Sequence, residues 1–493
     1  MKVMRKYIVF WLLCCFCHPV AGFELSSVLQ SNMVIQQGKP FCVWGTARAG
    51  EKLTVQAGWT PEVLRVEADE DGNWECRIKV PDVKSGDFTS YRLEVVATDT
   101  TVVLENLVIG EVWFFSGQSN MNMTMEPFLP WHKGILNHEQ EIASADYPYI
   151  RLFTTVLNPS DLPTDRVEGT WQECTPVTVR KFSAVAFSMG RKLFETLNVP
   201  VGLVVSSRGA MSCQAFTSRE VLENVPVLKT KYLDPWLSAP EQVKEGNVPY
   251  RLYNGMIYPF RHLSIRGFGW YQGENNCNDG NCYALLCAEM VKGWRKVFGQ
   301  GDLPFYFVQM TPYSWKKNDF YGGHYAVFRE VQEKTMRLLP HSGMVVTMDI
   351  GETESIHPVN KRPVGERMAA LAMRRVYGYK TVVCEGPMYS RVQYKGKQVE
   401  VCFKKGSLGT GLRTNDGQMP AHFYLAGTDK RFYKAKAEIV GDRVVLSAPA
   451  VKTPVAVRYA FLTYPLTNLE NKEGFPACPF RTDSWTDAVY TGE

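Results

Sequence analysis

The sequence predicts an α/β protein with a parallel sheet at its centre and a β-rich region on each side. From about residue 107, short apolar runs alternate with segments of helical spacing. Nearly continuous apolar strands of this kind are typical of a parallel sheet that is covered on both faces. Before residue 107 and after residue 380, short alternating strands separated by turns replace this rhythm.

Residues 1–22 have the pattern of a secretory signal peptide. A basic start precedes an apolar stretch from Tyr7 to Cys17, and small residues follow up to Gly22. The apolar stretch is too short to span a bilayer. We therefore expect cleavage near Gly22 and a secreted or periplasmic protein, with no transmembrane segment after cleavage. A retained anchor or a lipidated cysteine is the alternative.

Residues 23–106 predict an N-terminal β domain. Its strand-like segments are separated by Gly, Asp and Pro clusters and read FCVWGTA, EKLTVQAG, NWECRIKV and SYRLEVVA. Residues 381–493 predict a C-terminal β region of similar character. In that region Gly441-Asp442 separates two apolar segments and predicts a hairpin turn.

Residues 107–380 predict the central α/β domain. Five apolar runs predict its strands: LVIGEVWFFS, VPVGLVVSS, IRGFGWYQG, LPFYFVQM and MVVTMDI. The segments between and after them predict four helices: Ala184–Leu197, Tyr283–Phe298, Tyr325–Leu339 and Lys361–Tyr377. The second of these has apolar residues at helical spacing, which gives it one apolar face.

The composition of the 493-residue chain excludes some classes of function. The net charge is only +5 and the basic residues are scattered, so we expect no nucleic-acid partner. Ten cysteines follow the signal peptide, and Cys277 and Cys282, which flank a turn, are the best candidates for a disulfide. We expect the other cysteines to be free thiols.

Motifs for metals and cofactors are missing from the sequence. The histidines outside the signal peptide form neither H-x-H nor H-E-x-x-H, and the cysteines lack the paired spacing of a zinc site. The chain also lacks a phosphate loop and a dinucleotide-binding fingerprint. We therefore expect no metal and no organic cofactor.

Polar residues at the ends of the predicted strands have the types that a serine hydrolase needs. The segments are GQSN, SSRGA, WYQGE and DIGETESIHPVNK. Because parallel strands present their carboxyl ends at one edge of a sheet, these residues are expected to converge there. Ser119 is then a candidate nucleophile, with Ser116 as the alternative, and His357 is a candidate base. Met121 stands where a G-x-S-x-G elbow has its second glycine, which disfavours an α/β-hydrolase.

Four segments resemble the sialate O-acetylesterase family of SGNH-type carbohydrate esterases. They read GEVWFFSGQSNM, LYNGMIYPF, GFGWYQGENN and MDIGETESIHPVNKRPVGERMA, and the likeness covers nearly the whole chain after the signal peptide. The resemblance implies an SGNH-hydrolase-like three-layer α/β/α parallel sheet between the flanking β regions. It also implies a serine esterase that removes O-acetyl groups from sugars through an acetyl-enzyme, with 9-O-acetylated sialic acid as the first expected substrate. An acetylxylan or other glycan acetylesterase, or a non-catalytic carbohydrate-binding protein on the same fold, is the alternative.

The same resemblance implies roles for individual residues. Ser119 would attack the acetyl carbonyl and His357 would accept its proton. The backbone N–H groups of Ser119 and Gly209 and the side chain of Gln272 would form the oxyanion hole.

The third member of the catalytic triad is less clearly marked. Enzymes of this type usually carry an acid three residues before the histidine, where this chain has Glu354. Many relatives instead have an Asp two residues before it, where this chain has Ser355. Glu352 and Asp349 are also near in sequence. A Ser–His dyad held by a backbone carbonyl is the alternative to all of these acids.

Three further residues are candidates for contact with an acetylated sugar. Arg208 stands where relatives often have Trp, and its guanidinium could pair with the carboxylate of sialic acid. An arginine in a surface ion pair is the alternative. Asn120 and Glu274 lie in the motifs of the nucleophile and of the WYQGE segment, and Glu274 also fits a structural acid. The oligomeric state is not determined by the sequence.

Overall fold

The computed structural model describes residues 22–314, 320–321 and 323–491. The predicted signal peptide lies outside these residues apart from Gly22. Within the described ranges, no helix combines the length and the apolar character needed to cross a bilayer.

The N-terminal region is β structure, as predicted. Its strands are β1 (Glu24–Leu25), β2 (Val34–Gln36), β3 (Phe41–Thr46), β4 (Lys52–Ala57), β5 (Val63–Glu67), β6 (Asn73–Ile78) and β7 (Ser90–Val96). Strands β1, β3 and β6 form a small antiparallel sheet. Strands β4, β5 and β7 form a second antiparallel group.

A long strand, β8 (Thr101–Gly117), joins the N-terminal region to the central sheet. Its first half pairs with β7, and its second half pairs with two strands of the central sheet. The predicted boundary at Asn106 therefore falls inside this strand, at a residue with a φ of 55°. The other strands of the central sheet are β9 (Tyr147–Thr154), β10 (Gln172–Cys174), β11 (Val201–Ser207), β12 (Gly267–Tyr271), β13 (Phe305–Val308) and β14 (Ser342–Val345).

The central strands lie in the order β10, β9, β11, β8, β12, β13, β14. All neighbouring pairs are parallel except β9 with β10. The α-helices are α1 (Ser119–Asn122), α2 (His138–Ala143), α3 (Ala184–Leu197), α4 (Arg219–Asn224), α5 (Pro226–Leu228), α6 (Asp234–Ser238), α7 (Asn281–Phe298), α8 (His324–Leu338) and α9 (Arg362–Arg375). The four predicted helices are confirmed as α3, α7, α8 and α9, with ends within two residues of those expected.

Alternating side chains of β8 explain how helices pack on the sheet. Trp113 and Phe115 belong to the core that also contains the buried residues of α3 and α9. Val112 and Phe114 belong to the core that contains those of α7 and α8. Since successive side chains of a strand point to opposite faces, the two helix pairs cover opposite faces of the sheet. The predicted α/β class is therefore confirmed.

The C-terminal region is also β structure. Its strands are β15 (Tyr389–Lys395), β16 (Gln398–Phe403), β17 (Leu412–Thr414), β18 (Phe423–Ala426), β19 (Arg431–Lys434), β20 (Lys436–Val440), β21 (Arg443–Ser447), β22 (Ala456–Tyr459), β23 (Leu469–Asn471), β24 (Phe480–Arg481) and β25 (Val489–Tyr490). The predicted hairpin turn at Gly441-Asp442 joins β20 and β21. Buried Arg329 of α8 donates to the carbonyl oxygens of Leu462 and Thr463, which ties this region to the central domain.

All ten cysteines among the described residues are free. The expected disulfide between Cys277 and Cys282 is therefore not formed, which corrects that prediction. The two thiols have different surroundings: Cys282 lies in the first turn of α7, whereas Cys277 ends the short turn after Glu274. Flanking a turn brings two residues close in sequence but does not point their side chains at each other.

Candidate active site

The ends of β8 and β11 bring Ser119 and Gly209 together. Gly117 ends β8 with a φ of 136°, and a Cβ atom at this position would collide with the carbonyl oxygen of Tyr271. This glycine lets the chain turn sharply beside β12, so that Ser119 becomes the first residue of α1. A Cβ atom built on Gly209 would lie 3.6 Å from Cβ of Ser119. Gly209 and Ser119 are therefore neighbours in the fold.

The two candidate serines differ in accessibility. Ser119 is partly exposed. Ser116 is completely buried, and its hydroxyl donates to the carbonyl oxygen of Ser206 at 2.6 Å. Ser116 is therefore part of the sheet interior, and only Ser119 can meet a substrate.

The backbone around Ser119 provides free hydrogen-bond donors. Among the residues that the structure describes, neither the N–H of Ser119 nor that of Gly209 has an acceptor. The N–H of Arg208, the residue before Gly209, instead donates to the carbonyl oxygen of Gly117 at 3.1 Å. Two unpaired N–H groups beside a serine hydroxyl are suited to hold an oxyanion.

Gln272, the third predicted donor, is held in a buried network. Its Nε2 lies 2.7 Å from Oδ1 of Asn276, 3.1 Å from Oε1 of Gln118 and 3.3 Å from the carbonyl oxygen of Met211. One N–H is therefore committed to Asn276, and the other is shared between two longer contacts. The side chain lies next to Gln118, the residue before Ser119, but it donates to protein acceptors here.

His357 is oriented by a backbone carbonyl. Its Nδ1 lies 3.0 Å from the carbonyl oxygen of Trp131. Since a carbonyl oxygen only accepts, Nδ1 carries the proton and Nε2 keeps its lone pair. Nε2 is buried and has no partner within the described part of the chain. Burial, followed by the charge of Lys361, lowers the pKa of His357 below its usual 6.5, against the opposing hydrogen bond to Trp131.

Glu354 does not take the place that the sequence predicted for it. Its side chain is exposed and forms no hydrogen bond or ion pair to any described residue. The carbonyl of Trp131 occupies the position at His357 Nδ1, so this geometry favours the dyad. The other two acids are engaged elsewhere, Asp349 with the guanidinium of Arg367 and Glu352 with the backbone N–H of Val359.

A buried clasp, formed by Asn120, Glu274 and Lys361, joins the segment of Ser119 to that of His357. Asn120 Nδ2 donates to Glu274 Oε1 at 2.7 Å and to the carbonyl oxygen of Ile356 at 3.1 Å. Its Oδ1 accepts from Lys361 Nζ at 2.7 Å. Because Asn120 follows Ser119 and Ile356 precedes His357, the clasp fixes the two segments relative to each other.

The hydrogen bonds of the clasp show that the predicted sugar contact of Asn120 is wrong, and they argue against such a contact for Glu274. Asn120 is completely buried and all its polar atoms are bonded within the protein, so it cannot contact a sugar. Glu274 is half-buried, and its carboxyl group lies inside the protein with Oε1 on Asn120. Both residues position the site rather than bind substrate.

Burial sets the ionisation of the clasp. It lowers the pKa of Lys361 to about 7, although the nearby carboxylates of Glu274 and Glu352 oppose this change. Burial also raises the pKa of Glu274, against its hydrogen bond with Asn120 and the charge of Lys361. Lys361 therefore changes its charge near neutral pH, next to His357.

An exposed apolar segment borders the histidine. Phe128, Leu129 and Trp131 are 61%, 72% and 67% exposed, and the carbonyl of Trp131 is the one that holds His357. The ring of His132 lies 6.5 Å from that of His357, and burial lowers the pKa of His132 to about 4. The segment therefore places an accessible aromatic surface beside a pair of neutral histidines.

Three residues near the site, Trp131, His132 and Lys361, were not predicted from the sequence. A backbone carbonyl has no sequence signature, and no motif marks the exposed loop. Lys361 did carry a signal, because it follows His357 by four residues in the segment IHPVNK. Arg208 lies at the end of β11, as expected; it is exposed and forms no ion pair with a described residue.

Comparisons with known proteins identify the family of this chain. The profile of the family described as carbohydrate esterase, sialic acid-specific acetylesterase matches residues 109–374. The sialate O-acetylesterase of Mus musculus is 28% identical over 90% of both chains, and that of Rattus norvegicus is 28% identical over 76% of this chain and 77% of its own. The crystal structure of a carbohydrate acetylesterase from Xanthomonas citri superposes with a TM-score of 0.82 at 30% identity, over 94% of this chain and 100% of its own. The chain therefore belongs to the SASA family of carbohydrate esterases, the sialic acid-specific acetylesterases.

Proposed function

We propose that this protein is a serine esterase that removes O-acetyl groups from sialic acid, with 9-O-acetylated sialic acid as the first expected substrate. The observation that carries the proposal is that Asn120 ties the segment of the accessible Ser119 to that of His357. Among the described residues, the N–H groups of Ser119 and Gly209 and the Nε2 of His357 have no partner. Family membership and the relatives named sialate O-acetylesterase support the same substrate class.

In the proposed reaction, Ser119 Oγ attacks the acetyl carbonyl while His357 Nε2 accepts the hydroxyl proton. The N–H groups of Ser119 and Gly209 receive the oxyanion, joined by the second N–H of Gln272 once it leaves its two long contacts. Each such donor contributes about 3 kcal/mol to lowering the barrier. The protonated His357 then gives its proton to the departing sugar oxygen, which leaves as a hydroxyl group. Afterwards His357 activates the water that releases acetate and regenerates Ser119.

A carbonyl rather than a carboxylate would orient His357. The hydrogen bond from Nδ1 to Trp131 fixes the tautomer that leaves Nε2 as the base. When the imidazole gains a proton, the carbonyl dipole partly stabilises the positive charge. We therefore propose a Ser119–His357 dyad.

Replacing Glu354 with Gln is expected to leave kcat for acetate release within about twofold of wild type. The reason is that Glu354 is exposed and makes no contact with His357. An essential triad acid would instead cost about 10⁴-fold in kcat. Initial rates on 4-nitrophenyl acetate measure the effect, with His357→Asn as the inactive reference. A loss close to that of His357→Asn, in a folded variant, would restore Glu354 to the triad.

We propose that Arg208 recognises the carboxylate of the substrate. It is exposed, it precedes Gly209 in sequence, and no described acid neutralises it. A guanidinium binds a carboxylate through two parallel hydrogen bonds. Sialic acid has such a carboxylate and xylan has none. Trp131, whose carbonyl bonds to His357 and whose ring is exposed, offers an apolar surface for the sugar.

Replacing Arg208 with Gln is expected to raise KM for O-acetylated sialic acid about tenfold, the effect of losing one charge-assisted hydrogen bond. The rate on 4-nitrophenyl acetate, which has no carboxylate, should not change. Arg219→Gln, which removes an exposed arginine paired with Glu223, is the matched control. Equal losses on both substrates would exclude carboxylate recognition, and faster acetate release from acetylated xylan than from sialic acid would assign the protein to xylan.

We also propose the domain division and the location of the protein. Helices on opposite faces of the sheet support an SGNH-type three-layer α/β/α domain over residues 107–380. The β structure on either side supports an N-terminal domain over 23–106 and a C-terminal region over 381–493. Export by a cleaved signal peptide rests on the pattern of residues 1–22.

A further inference from the structure

Three side chains of metal-ligating type meet between the N-terminal sheet and the central domain. They are Cys42 on β3, Glu75 on β6 and His262 in the segment before β12, and we call them the Cys–Glu–His cluster. Their ligand atoms lie within 4.8 Å of one another. None of the three residues belongs to the serine site.

The strand pairing explains why two of these residues face the same way. In the antiparallel pair β3–β6, Cys42 lies opposite Arg77, and Glu75 is two residues from Arg77 on the same face. Cys76, between them, points to the other face. The third residue is held from the side, because the ring of Trp44 packs 5.3 Å from the ring of His262.

The spacing is close to that of a tetrahedral zinc site. Zinc bond lengths place a nitrogen and an oxygen ligand about 3.4 Å apart, and a sulfur and an oxygen about 3.6 Å apart. Here His262 Nδ1 lies 3.3 Å from Glu75 Oε2, and Cys42 Sγ lies 3.9 Å from the same oxygen. The sulfur and the nitrogen are at most 4.8 Å apart, so they need to approach by about 1 Å at most.

The surroundings leave room for an ion and a water molecule. Glu75 and His262 line a cavity of about 330 Å³ that opens to solvent, while Cys42 lies on the buried side. The second oxygen of Glu75 faces Arg77 at 3.6 Å, which leaves Oε2 for the cluster. The neighbouring charge of Arg261 is neutralised by an ion pair with Asp165.

We propose that Cys42, Glu75 and His262 bind one zinc-like divalent ion, with water as the fourth ligand. A thiolate, an imidazole and a carboxylate form a donor set that zinc accepts in proteins. The ion would fasten the β3–β6 sheet to the central domain, and its role would be structural. Sequence motifs did not indicate this site because its ligands are far apart along the chain.

The test uses the full chain after treatment with a chelator. Zinc is titrated against a chromogenic chelator, and cobalt is added in a parallel experiment. We expect one ion per chain and a thiolate-to-cobalt charge-transfer band, together with a higher unfolding temperature when zinc is present. Cys42→Ser and His262→Gln should lose all three effects, and Cys76→Ser, on the opposite face of β6, should keep them.

Other outcomes overturn the proposal. If zinc binding survives in both Cys42→Ser and His262→Gln, the ion lies elsewhere. If zinc binding is lost in Cys76→Ser, Cys42 is not the cysteine that binds the ion. If a variant does not fold, the wild-type spectrum still decides, because a cobalt complex without the thiolate band excludes Cys42. Loss of esterase activity in chelator-treated wild type that is still folded would contradict a structural role.

Discussion

Replacing Ser119 with Ala is expected to lower kcat for acetate release by about 10⁴- to 10⁶-fold, the range seen when a catalytic serine is removed. The oxyanion donors and the base remain in this variant, but no hydroxyl is left to form the acetyl-enzyme. The measurement is acetate release from 4-nitrophenyl acetate and from O-acetylated sialic acid. Detection of a covalently bound acetyl group on the wild type, and not on the variant, provides a second readout.

Ser116→Ala is the matched control for this experiment. It removes the other serine of the same segment, whose hydroxyl is buried and bonded to the carbonyl of Ser206. Losing that bond should cost about 1 kcal/mol of stability and leave the reaction largely intact. If Ser119→Ala kept a rate within tenfold of wild type, or if Ser116→Ala were the inactive variant, the proposed nucleophile would be wrong.

The helices and most strands follow from local pattern, because an apolar face repeats along the chain with the period of the element that buries it. Helix α3 shows this well, since its predicted and observed ends agree. It also begins at a local signal, Ser183, whose hydroxyl accepts from the N–H of Ala186.

The end of β14 shows where local pattern fails. The run MVVTMDI predicts a strand to residue 350, but the strand ends at Val345. The next carbonyl, that of Val346, accepts from the guanidinium of Arg367 on α9 instead of from a neighbouring strand. A contact between distant segments therefore decided this boundary.

The site residues also differ in whether local sequence pattern predicts their positions. Ser119 and Gly209 were predictable because the carboxyl ends of parallel strands meet at one edge. The partner of His357 was not, since Trp131 contributes a backbone atom from an irregular loop. The position of Asn120 after Ser119 predicts a substrate contact, yet its side chain is held inside the protein by Glu274 and Lys361, which are far away in sequence.

Replacing Lys361 with Met is expected to lower kcat about 100-fold, because small displacements of reacting groups have effects of this size. The substitution leaves Asn120 Oδ1 without its donor, and it removes the positive charge that faces Glu274. The clasp then no longer fixes the segment of Ser119 against that of His357. Lys292→Met, an exposed lysine on α7 paired with Glu289, is the control for the change in net charge.

The pH profile of kcat/KM separates a local electrostatic effect of Lys361 from a purely structural one. His357 must be neutral to accept a proton, so its lowered pKa places the midpoint of the wild type's acid limb below pH 6.5. Lys361, with a pKa of about 7, is charged throughout that acidic range and opposes protonation of His357. Without this charge the acid limb should move upwards, but it should stay below 6.5 because burial, the larger cause, remains. A loss of rate with an unmoved acid limb would show that Lys361 acts only by holding Asn120.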